Sequence, residues 1–233
     1  MKTERPTLNT SKINELRDFL QIRQGKKCKD YFSRYPLGEE WVYSGKLFSE
    51  KIIYSDSGPA EMIRASHRAN AFNLPNTRDD KRKELELQWW KEFFKREFKI
   101  DIETLHQDYQ ESEEIPEEEQ IIYHGKRFSY NFFLKLAYLQ DIAQNTGLSQ
   151  QECLTIMELG GGDGTLARLM KTYYPASRYI IVDLPESLFF SHLNLHLNFP
   201  NCGFKNVSTI EEFYNSVNDK QIDFIFVPSF LTE

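Results

Sequence analysis

The residues whose types and spacing best suit chemistry are Glu158, Gly160, Gly161, Gly162, Gly164 and Asp183. Glu158 lies near the end of a short apolar run, Ile156-Met157-Glu158-Leu159. Three alternate glycines then lead into an amphipathic stretch that begins at Thr165. A strand ending in a glycine turn at a helix N-terminus lets the backbone approach a nucleotide-like ligand closely. An acid ahead of the glycines suits a cation better than a pyrophosphate. Asp183 ends a second apolar run, Tyr179-Ile180-Ile181-Val182, 19 positions after Gly164. An acid at that point can accept hydrogen bonds from both hydroxyls of a ribose. It can also cap the next helix, which Pro185 would open, and Leu184 between them belongs to the same candidate site.

Spacing separates two ligand classes. A dinucleotide loop has the form G-x-G-x-x-G. Started at Gly160, that frame meets Thr165 in place of its last glycine, and started at Gly161 it meets Asp163 in place of its second. Only Gly162, Gly164 and Ala167 satisfy it, with alanine as the tolerated last member. The tighter description is E-x-G-x-G-x-G, led by Glu158. In this the chain resembles the Rossmann-like (class I) S-adenosylmethionine-dependent methyltransferases. Within that class Ser129 to Phe230 is similar to the sugar O-methyltransferase family, through Tyr-Ile-Ile-Val-Asp-Leu-Pro-Glu-Ser-Leu at 179–188 and Asp-Phe-Ile-Phe-Val-Pro at 223–228.

The resemblance implies S-adenosylmethionine as cofactor and a sugar hydroxyl as methyl acceptor. It places Gly160, Gly161, Gly162 and Gly164 around the cofactor's amino-acid end, Glu158 at its amine and Asp183 at its ribose, with Leu184 among the cofactor-binding residues. It also implies a sheet of seven strands, of which three or four are legible here. The expectation is therefore the first half of a catalytic domain. The alternative is a fragment that binds cofactor without turnover and self-associates through an exposed sheet edge. A nicotinamide-dependent oxidoreductase is a third reading, disfavoured by the loose frame.

Methyl transfer to a hydroxyl calls for a general base, and five histidines are available: His67, His106, His124, His192 and His196. His192 and His196 share a helix face at a spacing that can hold a metal, but no third ligand accompanies them, and two polar positions on a surface helix is the plainer reading. His124, beside Gly125, could face a cleft. His67, between Arg64 and Arg68, suits an anionic sugar or phosphate, or simply a solvated face. Trp89-Trp90 and Phe93-Phe94 suit either sugar stacking or core. These residues name no catalytic base.

The elements that must carry this chemistry lie in a chain of 233 residues, 40% hydrophobic and 27% charged, a globular composition. The net charge is −6, and six acids fall between Glu111 and Glu119, so the rest balances to zero and offers no basic field for nucleic acid. Repelling charges and Pro116 make that run a solvated linker, dividing a mainly helical region, residues 1–118, from a cofactor-binding region, residues 119–233. No run approaches the roughly 18 apolar residues of a membrane span. Cys28, Cys153 and Cys202 are scattered, which fits a reduced, cytoplasmic setting.

Helices are expected from Thr10 or Ser11, over Asp80–Lys99, and from a Ser129 cap to Gly147. Tyr31–Ser57 has no clear period and reads as loop with short strands or helical turns, and Ile121–Lys126 as a short extended segment. Strands at Leu154–Leu159, Tyr179–Asp183 and Ile222–Val227 alternate with helices at Thr165–Tyr174, Pro185–Leu197 and Ile210–Val217, with a weak edge segment near Val207. The fold class is α/β: a Rossmann-like parallel sheet preceded by a mainly helical N-terminal region.

Overall fold

The computed structural model describes residues 10–70, 80–106 and 109–232. Helices come first: α1 (Thr10–Phe19), a 3-10 turn at Leu20–Gln24, α2 (Lys26–Arg34), α3 (Glu39–Leu47) running into a π-helical turn at Phe48–Ile53, α4 (Pro59–Asn70) and α5 (Asp80–Glu97). A hairpin of β1 (Ile121–Tyr123) and β2 (Lys126–Phe128) leads to α6 (Tyr130–Thr146). Then β3 (Thr155–Leu159), α7 (Thr165–Tyr173), β4 (Arg178–Asp183), α8 (Pro185–Asn198), β5 (Phe204–Asn206), α9 (Ile210–Asn218) and β6 (Phe224–Pro228) alternate. The chain is thus α/β, with a parallel sheet behind a helical N-terminal region.

Local chemistry sets these boundaries. The Ser129 hydroxyl accepts the Phe132 N–H at 3.1 Å, and Gly147 ends α6 with φ of 63°. Thr209 caps α9 in the same way, and Pro185 sits in the first turn of α8. Two segments depart from expectation. Tyr31–Ser57 is largely helical, and Ile121–Lys126 turns back on itself as a hairpin whose bend puts His124 and Gly125 at positive φ.

All four strands of the main sheet are parallel, in the order β3-β4-β6-β5. A doubly wound sheet would place its first strand between its second and fourth. Here β6 pairs with β4 instead, so β3 is an edge strand among the described residues. One sheet face, carrying Ile156, Tyr179, Ile181, Phe224 and Phe226, packs under α6, α7 and α8. The opposite face, carrying Ile180, Val182, Ile225 and Val227, is covered by residues of α2 and α9. That second cover stops short of β3, whose Met157 and Leu159 are 56% and 75% exposed.

Helix α8 is buried from Pro185 to Leu195. It lies between the sheet and a second apolar cluster, in which Phe189, Phe190 and Leu193 meet Ile13 and Leu16 of α1 and Met62 and Ile63 of α4. A helix flanked on both sides loses its polar stripe, which accounts for its nearly uniform pattern. The acidic run is also partly built in, contrary to the solvated reading. Glu111 is buried, pairs with Arg168 at 3.0 Å and accepts the Ser129 hydroxyl at 2.6 Å. Glu114 is buried as well, while Glu113, Glu117 and Glu118 are exposed.

Candidate functional site

The glycine loop leaves the C-terminal end of β3 and enters α7. Gly160, Gly162 and Gly164 take φ of 79°, 57° and 80°, a left-handed geometry that glycine adopts without strain. The Gly160 N–H donates to the Val182 carbonyl at 2.8 Å, which roots the loop on β4. Gly161 is needed for a different reason. A Cβ there would lie 2.5 Å from Ile181 Cγ2, and its next neighbours are the Glu158 carboxylate atoms.

Three carboxylates surround this backbone. Asp183 accepts the Gly162 N–H on Oδ2 and the Leu184 N–H on Oδ1, each at 2.7 Å. The sequence-predicted pair is therefore brought together, with Asp183 closing the loop onto the end of β4. Burial raises the Asp183 carboxyl, and these two N–H groups and Ser187 oppose the rise. Glu158 accepts the Tyr179 hydroxyl at 2.9 Å. Burial lifts Glu158 from 4.5 to about 7, against the pull of Tyr179 and Lys135.

Asp163, inside the loop, accepts the Thr165 N–H at 3.0 Å and the Thr165 hydroxyl at 2.9 Å. Its carbonyl accepts Asn194 Nδ2 at 2.9 Å. Its Oδ2 lies 3.2 Å from His67 Nε2, and His67 Nδ1 lies 3.6 Å from Glu119. The Nε2 contact falls short of hydrogen-bond geometry, so it is an ion pair. Burial disfavours the imidazolium, but the two carboxylates outweigh it and raise His67 from 6.5 to about 10. Burial likewise disfavours the Asp163 carboxylate, yet His67 and Thr165 hold it well below the usual range.

His67 is 9% exposed and meets carboxylates of its own chain, which removes both the solvated face and the anion contact as readings. Asp163 stands between two of the glycines already singled out. Its pairing with His67 has no local signal, because the partner arrives from α4. His124 is exposed in the hairpin bend, its ring on Tyr123. His192 is fully buried, not surface-exposed. Its ring stacks on Phe226 at 4.6 Å, Nδ1 lies 3.1 Å from Asn206 Oδ1, and burial lowers it to about 3, which keeps it neutral. Trp90 and Phe94 are core, while Trp89 is 54% exposed and stacked on Phe93. Among the described residues no cluster of three His, Cys, Asp or Glu side chains could hold a metal ion.

The loop therefore presents backbone turned toward its own Asp183, two further acids, the His67 cation already shared by Asp163 and Glu119, and Lys135 acting on Glu158. Such a site favours a positively charged, hydroxyl-bearing ligand over an oxyanion, which would meet Asp183 where it needs N–H groups. Among the described residues no helix is long and apolar enough to cross a membrane. Comparison with protein-family models, curated proteins and solved structures finds no match for this chain.

Proposed function

We propose that this chain binds S-adenosylmethionine at the loop from Glu158 to Gly164 and is an O-methyltransferase acting on a sugar hydroxyl. The observation that carries the reading is the carboxylate lining of a left-handed glycine loop at a strand's C-terminal end. Glu158 suits the ligand's amine. Asp183 keeps lone pairs beyond its two backbone bonds and suits the ribose hydroxyls. Gly160 and Gly162, open where a Cβ would stand, admit the ligand to the backbone, with Gly161, Gly164 and Leu184 beside them. The cofactor supplies an activated methyl group, and the protein's part is alignment and exclusion of water. His67 is no candidate base, since both ring nitrogens face carboxylates. The resemblance at 179–188 and 223–228 supports the sugar acceptor.

Three free cysteines support a reduced, cytoplasmic setting, and the balanced charge outside the acidic run supports a small-molecule or glycan partner over nucleic acid. Mass spectrometry of a glycan panel incubated with the chain and S-adenosylmethionine tests the transfer. A mass gain of one methyl group is expected on a glycan acceptor, and no gain on any acceptor removes the enzymatic reading.

One observation favours a second reading, cofactor binding without transfer. The outer edge of β3, the strand that carries the loop, has no paired strand among the described residues. Met157 and Leu159 stand exposed beside it, and an open edge of this kind invites self-association. Detected transfer by a monomeric chain would sink this alternative.

A further inference from the structure

We infer that His67 and Arg23 are positioning residues, through which the N-terminal helices fix the two loops that form the ligand site. The inference rests on the cofactor-binding reading above and extends it to residues outside the glycine loop.

Among the described residues, two ion pairs cross between the N-terminal helices and the C-terminal ends of the strands. His67 of α4 meets Asp163 in the loop after β3. Arg23, in the 3-10 turn before α2, meets Glu186 at 2.5 Å in the first turn of α8, just after the Asp183 loop of β4. The Glu186 side chain is almost fully buried. Helix α3 passes beside this second pair, where a Cβ on Gly45 would lie 3.9 Å from Arg23 Nη2 and 4.0 Å from Glu186 Oε1, and the Arg23 side chain stays 34% exposed. Glu119 completes the first pair from the acidic run.

Docking of the helices does not need these contacts. The apolar seam of Ile13, Leu16, Met62 and Ile63 against Phe189, Phe190 and Leu193 already joins the N-terminal region to α8. Ion pairs drawn partly out of water add little net stability over apolar packing, because desolvation offsets their attraction, whereas their geometry is specific. Both pairs fall at loops next to candidate ligand residues. Asp163 lies between Gly162 and Gly164, and Glu186 lies three residues after Asp183. His67 also neutralises Asp163, which leaves Glu158 and Asp183 as the acids facing a ligand. Held in this way, the loops keep the backbone bonds from Gly162 and Leu184 to Asp183 in register.

The test uses the full chain with His67→Gln, Arg23→Met and Arg23→Lys. It reads S-adenosylmethionine affinity by calorimetry and amide hydrogen exchange peptide by peptide. His67→Gln is expected to weaken binding about tenfold, the scale of losing a supporting contact behind a ligand site. It should speed exchange over Gly160–Gly164 while leaving the middle of α8 protected. Arg23→Met should do the same over Leu184–Ser187, and Arg23→Lys should recover most of the loss. Unchanged affinity and exchange in both charge-removing variants would overturn the inference. So would a loss of protection spread evenly over sheet and helices, which would make the pairs structural only. If His67→Gln does not fold, Glu119→Gln and the Arg23 series carry the same comparison. A wild-type chain that binds no S-adenosylmethionine removes the proposed function, while the exchange pattern still decides whether the pairs hold the loops.

Discussion

Replacing Glu158 by Gln tests the electrostatics of the loop by counting protons. Burial lifts the Glu158 carboxyl from 4.5 to about 7, with Asp163 and Asp183 adding to the rise. At pH 6 most molecules therefore hold a proton there. An ammonium group docked on the carboxylate restores the charged form, so binding expels that proton. If the ligand returns the group to its ordinary value, binding at pH 6 releases roughly 0.9 proton, and affinity rises by roughly 80-fold from pH 4.5 to 7. The α-amino group of the ligand stays protonated below about pH 7.7, so the window is clean. Calorimetry in two buffers of different ionisation enthalpy counts the released protons directly. Glu158→Gln should bind more weakly, with a flat pH profile and no proton release. For folding, an acid raised above its unfolded value stabilises less as pH rises from 4.5 through 7, a loss of about 3 kcal/mol, and the Gln variant should flatten that slope. A wild-type affinity independent of pH between 5 and 7, or proton release that persists in the variant, refutes the reasoning.

Other consequences are as direct. Gly161→Ala places a Cβ 2.5 Å from Ile181 Cγ2 and should cost about 1–3 kcal/mol of stability by thermal melting. Gly162→Ala meets open space and should cost only the left-handed strain of about 1–2 kcal/mol. His67, raised from 6.5 to about 10, contributes fully below pH 6.5 and less as pH climbs toward 10. Asp163, held below its ordinary 3.8, contributes above that value and loses its contribution as pH falls. Melting temperatures of wild type and His67→Gln should thus differ most between about pH 4 and 6.5 and converge above about pH 10. Met157→Lys puts a charge beside the open edge of β3 and should abolish any concentration-dependent association seen by sedimentation, and association that persists places the contact elsewhere.

The alternation from β3 to β6 was legible because its punctuation is local. Ser129, Gly147 and Pro185 each act within a few residues of an element's end. The glycine loop and Asp183 were legible for the same reason, since spacing along the chain carried them. What was hidden is contact across long separations. The acidic run looks solvated until Arg168, far downstream, supplies the partner for Glu111. His67 looks like a surface residue until Asp163 and Glu119 enclose it. The short helices of Tyr31–Ser57 lack a clean period. The helical pairing of His192 and His196 was visible, but the burial of α8 on both sides was not, because it depends on α1 and α4 packing against it. Strand order is also non-local, and nothing in the wording of β6 sets its place beside β4.

On the function proposed above, the loop from Glu158 to Gly164 takes a cationic nucleoside ligand, closed at its ribose by Asp183. Calorimetric titration of the wild-type chain and of Asp183→Ala, with S-adenosylmethionine and with a nicotinamide dinucleotide, tests it most directly. Saturable binding of S-adenosylmethionine to wild type is expected, at least about tenfold weaker in Asp183→Ala through the loss of hydrogen bonds to a charged group, with much weaker binding of the dinucleotide. Dinucleotide binding as tight as that of S-adenosylmethionine, or affinity unchanged in Asp183→Ala, would contradict it.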